Sequence, residues 1–369
     1  MIYLDYAANY PCKKEVLEEL ANVELNFYGN ANSLHNEGLK SKELFDKYNK
    51  KIFDILNVDG NEFEMVYTSS ATESNNLAIK GICKSYSGFG KHILVSEFEH
   101  NSNNACLSFL KDQGYEVEFV NTLKNGQIDL VELKSKIRND SILFVACLIE
   151  SETGAIQNYK DIINVIKDFP NLHFLMDATQ AIGKYNIDFN GLELVSFAPH
   201  KFGGLTGTGC LLKRKATVLT PLIHGGKSNS IYRSGSIPLG LIASSCKALE
   251  MAYQNINEKY NYVKEINEYF YANIKDMKNI VWNSFDNPYI INISILNLKA
   301  SESVKTLNDS GFCVSQKAAC SITNTPSKTI MAIYHDKKRA LTSFRISICE
   351  LTTKDEIDKL LTKLKEMIL

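Results

Sequence analysis

The sequence predicts an α/β fold on a mostly parallel sheet, and three observations carry that expectation. Strand-like apolar runs alternate with helical stretches from about residue 15 to about residue 215. Small, polar and glycine-rich segments sit directly after the carboxyl ends of several of those runs. The chain has 369 residues, 44% of them hydrophobic, enough to fill a sizeable core in one large and one smaller domain.

Taken in order, the strand candidates begin with Glu64 to Thr68, which leads through a small, hydroxylic turn into the helical run Leu77-Ala78-Ile79-Lys80. In that turn Ser70 reads as an N-cap and Glu73 as the capping-box acid reaching back to it. His92 to Ser96, Glu116 to Val120 and Ile142 to Ile149 follow as strands. Phe174 to Met176 reads as a buried strand that delivers Asp177 at its carboxyl end, and Leu194 to Phe197 and Cys210 to Leu212 complete the set. After Pro238 the pattern is helical for a long stretch, through Leu241, Ile242, Leu249, Met251 and Ala252 toward Ile266, and the domain change is expected within that helix. Strands return at Tyr289 to Ser294. At the C-terminus Thr353-Lys354-Asp355-Glu356 is a capping box, and Ile357, Leu360, Leu361, Leu364 and Met367 then repeat at helical spacing, the core-facing stripe of a helix.

Charge and cysteine usage exclude several functions. With 41 basic and 42 acidic side chains the formal net charge is -1, which leaves no basic excess for nucleic acid or an anionic membrane surface. No run approaches membrane-spanning length, and Met1-Ile2-Tyr3-Leu4-Asp5 reaches an acid too soon for a targeting segment, so a cytoplasmic protein is expected. The nine cysteines include no C-x-x-C pair, a spacing that suits neither a disulfide framework nor a metal site. Cys147 and Cys210 lie in apolar runs and read as small buried hydrophobes. Cys320 differs: Ser315 to Ser327 is polar and small, which predicts a mobile loop with an accessible thiol.

The chemistry-bearing residues occur in three places. His200-Lys201 ends an apolar strand and enters a glycine-rich turn; alone this reads as a surface lysine, but a lysine held there is positioned to form a Schiff base. Asp177 supplies a carboxylate at a neighbouring strand end. Thr68-Ser69-Ser70-Ala71-Thr72-Glu73 opens a helix, where free N-H groups and the dipole favour a phosphate. Lysine, acid and phosphate turn are the parts that pyridoxal phosphate (PLP) requires. Gly203 to Gly209 runs into a strand, not a helix, so it is not a dinucleotide fingerprint.

With these residues in this order the chain resembles the NifS/IscS branch of the cysteine desulfurases, within the class V aminotransferase family. The likeness runs nearly end to end, through Tyr3-Leu4-Asp5-Tyr6-Ala7-Ala8, Thr72-Glu73-Ser74-Asn75-Asn76, Glu99-His100, Glu152-Thr153-Gly154, Asp177-Ala178-Thr179-Gln180, His200-Lys201, Arg233-Ser234-Gly235-Ser236, Ala319-Cys320-Ser321 and Arg345-Ile346-Ser347. The resemblance implies a PLP-dependent enzyme of fold type I. Residues 1–14 would pack with a small domain, 15–258 would form the large cofactor domain, and 259–369 the small domain that carries the Cys320 loop.

It also implies roles. Lys201 would hold the cofactor and move protons, Asp177 would pair with the pyridinium, and His100 would stack on the ring and act as acid and base. Gln180 would hydrogen-bond the ring oxygen; Ala71, Thr72 and His200 would take the phosphate; and Ser236 would reach the phosphate of a second subunit, making a homodimer. Arg345 would clamp the substrate carboxylate beside Ser151, and Cys320 would accept sulfur as a persulfide. The implied reaction takes L-cysteine to L-alanine and passes sulfur to an acceptor such as an iron-sulfur scaffold. Two departures stand out: Ser151 replaces the family's usual amide, and Ala198-Pro199 removes a hydroxyl and a backbone donor ahead of His200. They keep open a PLP-dependent cysteine or selenocysteine lyase, or a low-activity regulatory or partner-binding homologue.

Overall fold

The computed structural model describes residues 1–226, 230–317 and 325–368. A short N-terminal strand, Ile2–Tyr3 (β1), precedes the alternating region. That region supplies Phe63–Thr68 (β2), His92–Ser96 (β3), Glu116–Val120 (β4), Ser141–Cys147 (β5), His173–Asp177 (β6), Leu194–Phe197 (β7) and Gly209–Arg214 (β8). These seven strands form one sheet in the order β2-β8-β7-β6-β5-β3-β4. The run from β4 to β7 is parallel, and β8 lies antiparallel between β7 and β2. The predicted mostly parallel sheet is therefore present, with one reversed strand.

The sequence explains why both faces are covered. Along β3, β5 and β6 successive side chains point to opposite faces: Leu94, Phe144, Ala146, Phe174 and Met176 enter one apolar cluster, while Ile93, Val95, Leu143, Val145 and Leu175 enter the other. Every residue of β5 is buried, which is why it reads as a continuous apolar run.

The C-terminal part builds Ile280–Trp282 (β9), Ile290–Ile295 (β10), Phe312–Cys313 (β11) and Ser343–Ser347 (β12). β9, β10 and β12 make an antiparallel sheet, and β11 pairs with β1 in parallel. The N-terminal segment is thereby stitched to the C-terminal part, and Asp5 bridges Ser347 as well.

Three local expectations need correction. The long helix after Pro238 is two helices, Leu239–Tyr253 and Ile256–Ile274, broken where Asn255 takes a left-handed conformation at φ 55°. Asparagine tolerates that conformation, and Lys259 Nζ caps the freed carbonyls of Met251 and Ala252 at 2.6 and 3.2 Å. The strand expected to reach Ile149 leaves its ladder after Cys147, because Glu150 turns the chain by accepting the backbone N-H groups of Glu152 and Thr153 at 2.7 and 2.6 Å. Ser70 does cap the Ala71–Ser85 helix, taking the Glu73 N-H at 3.1 Å. Glu73, however, reaches back to the N-H of Ser69 at 2.7 Å, one residue before the cap, and its other oxygen binds Arg233 at 3.0 Å. At the C-terminus the Thr353–Glu356 capping box forms as read, with reciprocal contacts of 2.8 and 3.3 Å.

Candidate active site

The carboxyl ends of β2, β3, β5, β6 and β7 open on the same side of the sheet, the place where open α/β sheets hold ligands. A cavity of about 240 Å³ lies there. Its lining includes Ser70, Ala71 and Thr72 after β2, His100 after β3, Ser151 after β5, Asp177, Thr179 and Gln180 from β6, and His200 and Lys201 after β7; Ala7, Ala8 and Arg345 close it.

The lysine is held by the N-terminal segment. Lys201 sits in a turn of 3₁₀ helix, Pro199–Lys201, and its Nζ donates to the carbonyls of Ala7 at 2.8 Å and Ala8 at 2.7 Å. Pro199 at the start of that turn costs no helical hydrogen bond, since first-turn N-H groups have no intrahelical acceptor. Beside it, His200 is pushed down to about 4 by burial and by the Lys201 charge, so its imidazole is neutral near pH 7.

Asp177 is buried, and its two oxygens are divided between donors: Thr179 N-H reaches Oδ1 at 3.0 Å and Asn75 Nδ2 reaches Oδ2 at 2.9 Å. Gln180 donates from Nε2 to Ala7 O at 2.9 Å and accepts from Lys184 Nζ at 3.1 Å. Lys184 is itself buried, and desolvation, reinforced by the Lys201 charge, lowers its pKa to about 7.

His100 caps the Asn101–Asp112 helix, its Nδ1 accepting the Ser102 N-H at 3.1 Å. Burial lowers its pKa, the Lys201 and Arg345 charges act in the same direction, and Asp177 opposes them. The adjacent Glu99 is fully enclosed and raised to about 7 by burial; it accepts from Ser96 Oγ, Cys147 N and Asn103 Nδ2, each at 2.6 Å. Those three contacts tie the end of β3 to β5 and to the helix that His100 caps.

Arg345, on β12, is 1% exposed. Its Nη2 donates to Asp5 Oδ1 at 2.9 Å and its Nη1 to the backbone carbonyl of Ser151 at 2.8 Å, while its buried Nε has no partner among the described residues. A surface salt bridge is thereby excluded. The link to Ser151 runs through the main chain, not the hydroxyl that the sequence singles out.

The donor set fits the expected cofactor. The first helical amides of the Ala71–Ser85 helix precede its first backbone bond, Ser74 N-H to Ser70 O at 3.0 Å, and so face outward at the cavity's helix end. Gly209 lets β8 pass this turn: a Cβ there would lie 2.2 Å from the carbonyl carbon of Ser70. Thr179 Oγ1 is buried without a partner among the described residues, which leaves it for a ligand oxygen.

Of the predicted site residues, Ala71, Thr72, His100, Ser151, Asp177, Gln180, His200, Lys201 and Arg345 share this one cavity. Ser236 does not: it is exposed and stands outside the lining, although Arg233 ties its neighbourhood to the phosphate-turn helix through Glu73. Cys320 lies outside the described residues. Cys147 and Cys210 are buried as expected. Asn75, Ser102, Lys184 and Asp5 were missed as site residues. Asn75 and Asp5 fall within quoted motifs, whereas nothing local in the sequence marks Ser102.

The chain belongs to the class V aminotransferase family, whose model matches residues 2–360. Within that family several of its relatives are named cysteine desulfurases. It is 35% identical over 368 residues to the cysteine desulfurase IscS of Buchnera aphidicola subsp. Baizongia pistaciae, covering 97% of this chain and 90% of that protein. It is 30% identical to cysteine desulfurase IscS 1 of Archaeoglobus fulgidus, covering 100% of this chain and 97% of the other. Among solved structures, a NifS-like protein matches with a TM-score of 0.92 at 26% identity, over 100% of this chain and 99% of that one. SspA in complex with cysteine matches with a TM-score of 0.81 at 28% identity, over 94% and 99%.

Proposed function

We propose that this chain is a PLP-dependent cysteine desulfurase that converts L-cysteine to L-alanine and hands the sulfur, as a persulfide on Cys320, to an acceptor protein serving iron-sulfur or thio-cofactor assembly. The observation that carries the reading is the convergence of Lys201, Asp177, His100 and Arg345 on one cavity, in a chain with desulfurase relatives along its whole length.

Lys201, Asp177, Gln180, His200 and the Ala71–Thr72 amides are the groups that would hold the cofactor, which when bound supplies an electron sink next to the substrate α-carbon. Asp177, fixed by Asn75 and Thr179, presents a carboxylate to a protonated ring nitrogen. Lys201 already faces the cavity with its amine hydrogen-bonded to two carbonyls, a placement suited to moving a proton at the α-carbon. Arg345 presents a planar guanidinium, which matches a substrate carboxylate bidentately if Nη1 gives up the Ser151 carbonyl. The Asp5 contact then keeps the guanidinium oriented.

For the sulfur step, the Cys320 thiolate attacks the substrate sulfur. The new S-S bond forms as the C-S bond breaks, its electron pair remains on the carbon side, and protonation there gives alanine, so the cysteine and the Cys320 thiol become alanine and a persulfide with no outside oxidant. A homodimer with Ser236 at the partner's phosphate belongs to the same proposal.

The test is alanine and sulfide formation from L-cysteine by purified protein, with Cys320→Ser beside it. That variant should bind cysteine, because Lys201 and Arg345 remain, yet carry no persulfide by mass spectrometry. Full sulfide release without Cys320 would shift the assignment to a lyase, in which sulfur or selenium leaves without a nucleophile.

A further inference from the structure

A line of hydrogen bonds joins Asp177 to His100 through Asn75, placed above only as a support for Asp177, and Ser102, which has no part in the roles above. Asn75 is fully buried, and its Nδ2 lies 2.9 Å from Asp177 Oδ2 and 2.9 Å from Ser102 Oγ. Ser102 makes two contacts with one ring nitrogen: Oγ at 2.9 Å and its backbone N at 3.1 Å from His100 Nδ1.

The placement of every proton follows by elimination. An ionised carboxylate only accepts, so Asn75 must turn its amino group to Asp177; the reverse would set Oδ1 against a carboxylate oxygen. Its two hydrogens then serve Asp177 and Ser102 Oγ. The Ser102 hydroxyl, accepting from Asn75, has its single hydrogen to give to Nδ1. The Ser102 peptide N-H also points at Nδ1, and a peptide N-H acts here only as a donor. Nδ1 therefore keeps its lone pair, and the proton of a neutral ring sits on Nε2.

We propose that Asn75 and Ser102 are positioning residues that fix His100 as a neutral imidazole with its proton on Nε2, so that it serves the reaction as a hydrogen-bond donor and not as a base. This deepens the desulfurase reading and rests on it for the word reaction alone; the imidazole assignment stands on the hydrogen bonds. The surroundings agree. Lys201 in the 3₁₀ turn and Arg345 on β12 face the ring as cations, the amino end of the Asn101–Asp112 helix abuts Nδ1, and Asp177 at the end of β6 is the opposing charge. A neutral imidazole at a helix amino end is a known way to polarise a ligand oxygen without exchanging a proton. Its Nε2 has no lone pair to take a proton, and its N-H is too weak an acid to give one up near neutrality. Proton movement at the substrate carbon then falls to Lys201, which narrows the acid and base part that the resemblance implies for His100.

The deciding measurement is the nitrogen NMR spectrum of protein labelled at its seven histidines, with His100→Gln to identify the resonance. With or without PLP, Nδ1 should read as unprotonated and Nε2 as protonated at neutral and mildly alkaline pH. Ser102→Ala removes one of two donors to the neutral ring, and the ring's titration should move up by about one unit; Ser102→Thr should restore it. A protonated Nδ1 at neutral pH, or a Ser102→Ala titration that does not move, overturns the proposal. The alanine assay is independent: the expected tautomer without alanine formation would sink the desulfurase reading and leave the imidazole assignment standing.

Discussion

Ser151 illustrates how a single position reads differently in sequence and in space. By type it is a shortened replacement for an amide, and the natural concern is lost substrate affinity. In the structure its backbone carbonyl engages Arg345, and that contact is indifferent to the side chain. Ser151→Ala should therefore leave the KM for cysteine within about threefold of the parent, since a lost hydrogen bond to a charged group would raise it roughly tenfold or more. A rise of that size in steady-state kinetics would return the hydroxyl to the substrate. Lys201 and Asp177 were legible because each ends an apolar run. Asn75 and Ser102 were not, because their meaning depends on a carboxylate and an imidazole brought in from other strands. Lys184 was hidden for a related reason: four residues after Gln180 it looks like a solvent-facing charge, and only the packing of Tyr289 and Gln180 around it makes it a buried one.

Among the elements, the phosphate turn depends most on its neighbours. The Ala71–Ser85 helix starts where Ser70 caps it, and β8 begins directly beneath, with Gly209 against the Ser70 main chain. Gly209→Ala should displace that turn, costing about 1 to 3 kcal/mol of stability and weakening retention of PLP, as followed by the visible absorbance of dialysed protein. Retention unchanged from the parent would mean that the turn does not hold the phosphate. Strand identities were most readable at β3, β5, β6 and β7, where runs buried on both faces leave little ambiguity, and β4 at the sheet edge is instead half-exposed. Helix ends were less so: Asn255 carries no signal strong enough to announce a break, and its left-handed conformation is supported by Lys259, a contact across the kink.

Across the molecule, the buried lysine links the site to stability. Lys184 titrates near pH 7 in the folded chain against about 10.5 when unfolded. Between those values the unfolded chain binds the extra proton, so this group's penalty is full below about pH 7 and fades as pH rises toward 10.5. Lys184→Met should be more stable than the parent in denaturant titrations at neutral pH, with the gap closing at alkaline pH. An equal or lower midpoint for the variant at pH 7 would show that the Gln180 contact outweighs the burial cost. The mostly parallel sheet was legible from the rhythm of the chain, whereas the antiparallel pairing of the smaller sheet and the cavity that the sheet ends share with residues 5 to 8 and Arg345 were not, since no local pattern encodes contacts across 340 residues.

The same strap of residues sets a schedule for the nascent chain. The Ala7 and Ala8 carbonyls that hold Lys201 belong to a segment fixed in turn by β11 and by Ser347, whose Oγ accepts the Ala7 N-H at 2.9 Å. Ala7 and Ala8 must therefore wait for Ser347, 340 residues after Ala7, before they are held in place as acceptors for the lysine. Until then Lys201 is an ordinary solvated amine. A ribosome-bound chain halted near residue 330 should be acylated at Lys201 by a water-soluble ester, and the released chain, in which Ser347 can meet Ala7, should be protected. Equal labelling of both would separate the strap from the lysine. The distance along the chain acts as a timer, keeping the cavity incomplete, and the Lys201 amine without its acceptors, until Ser347 has been made and released to pair with Ala7.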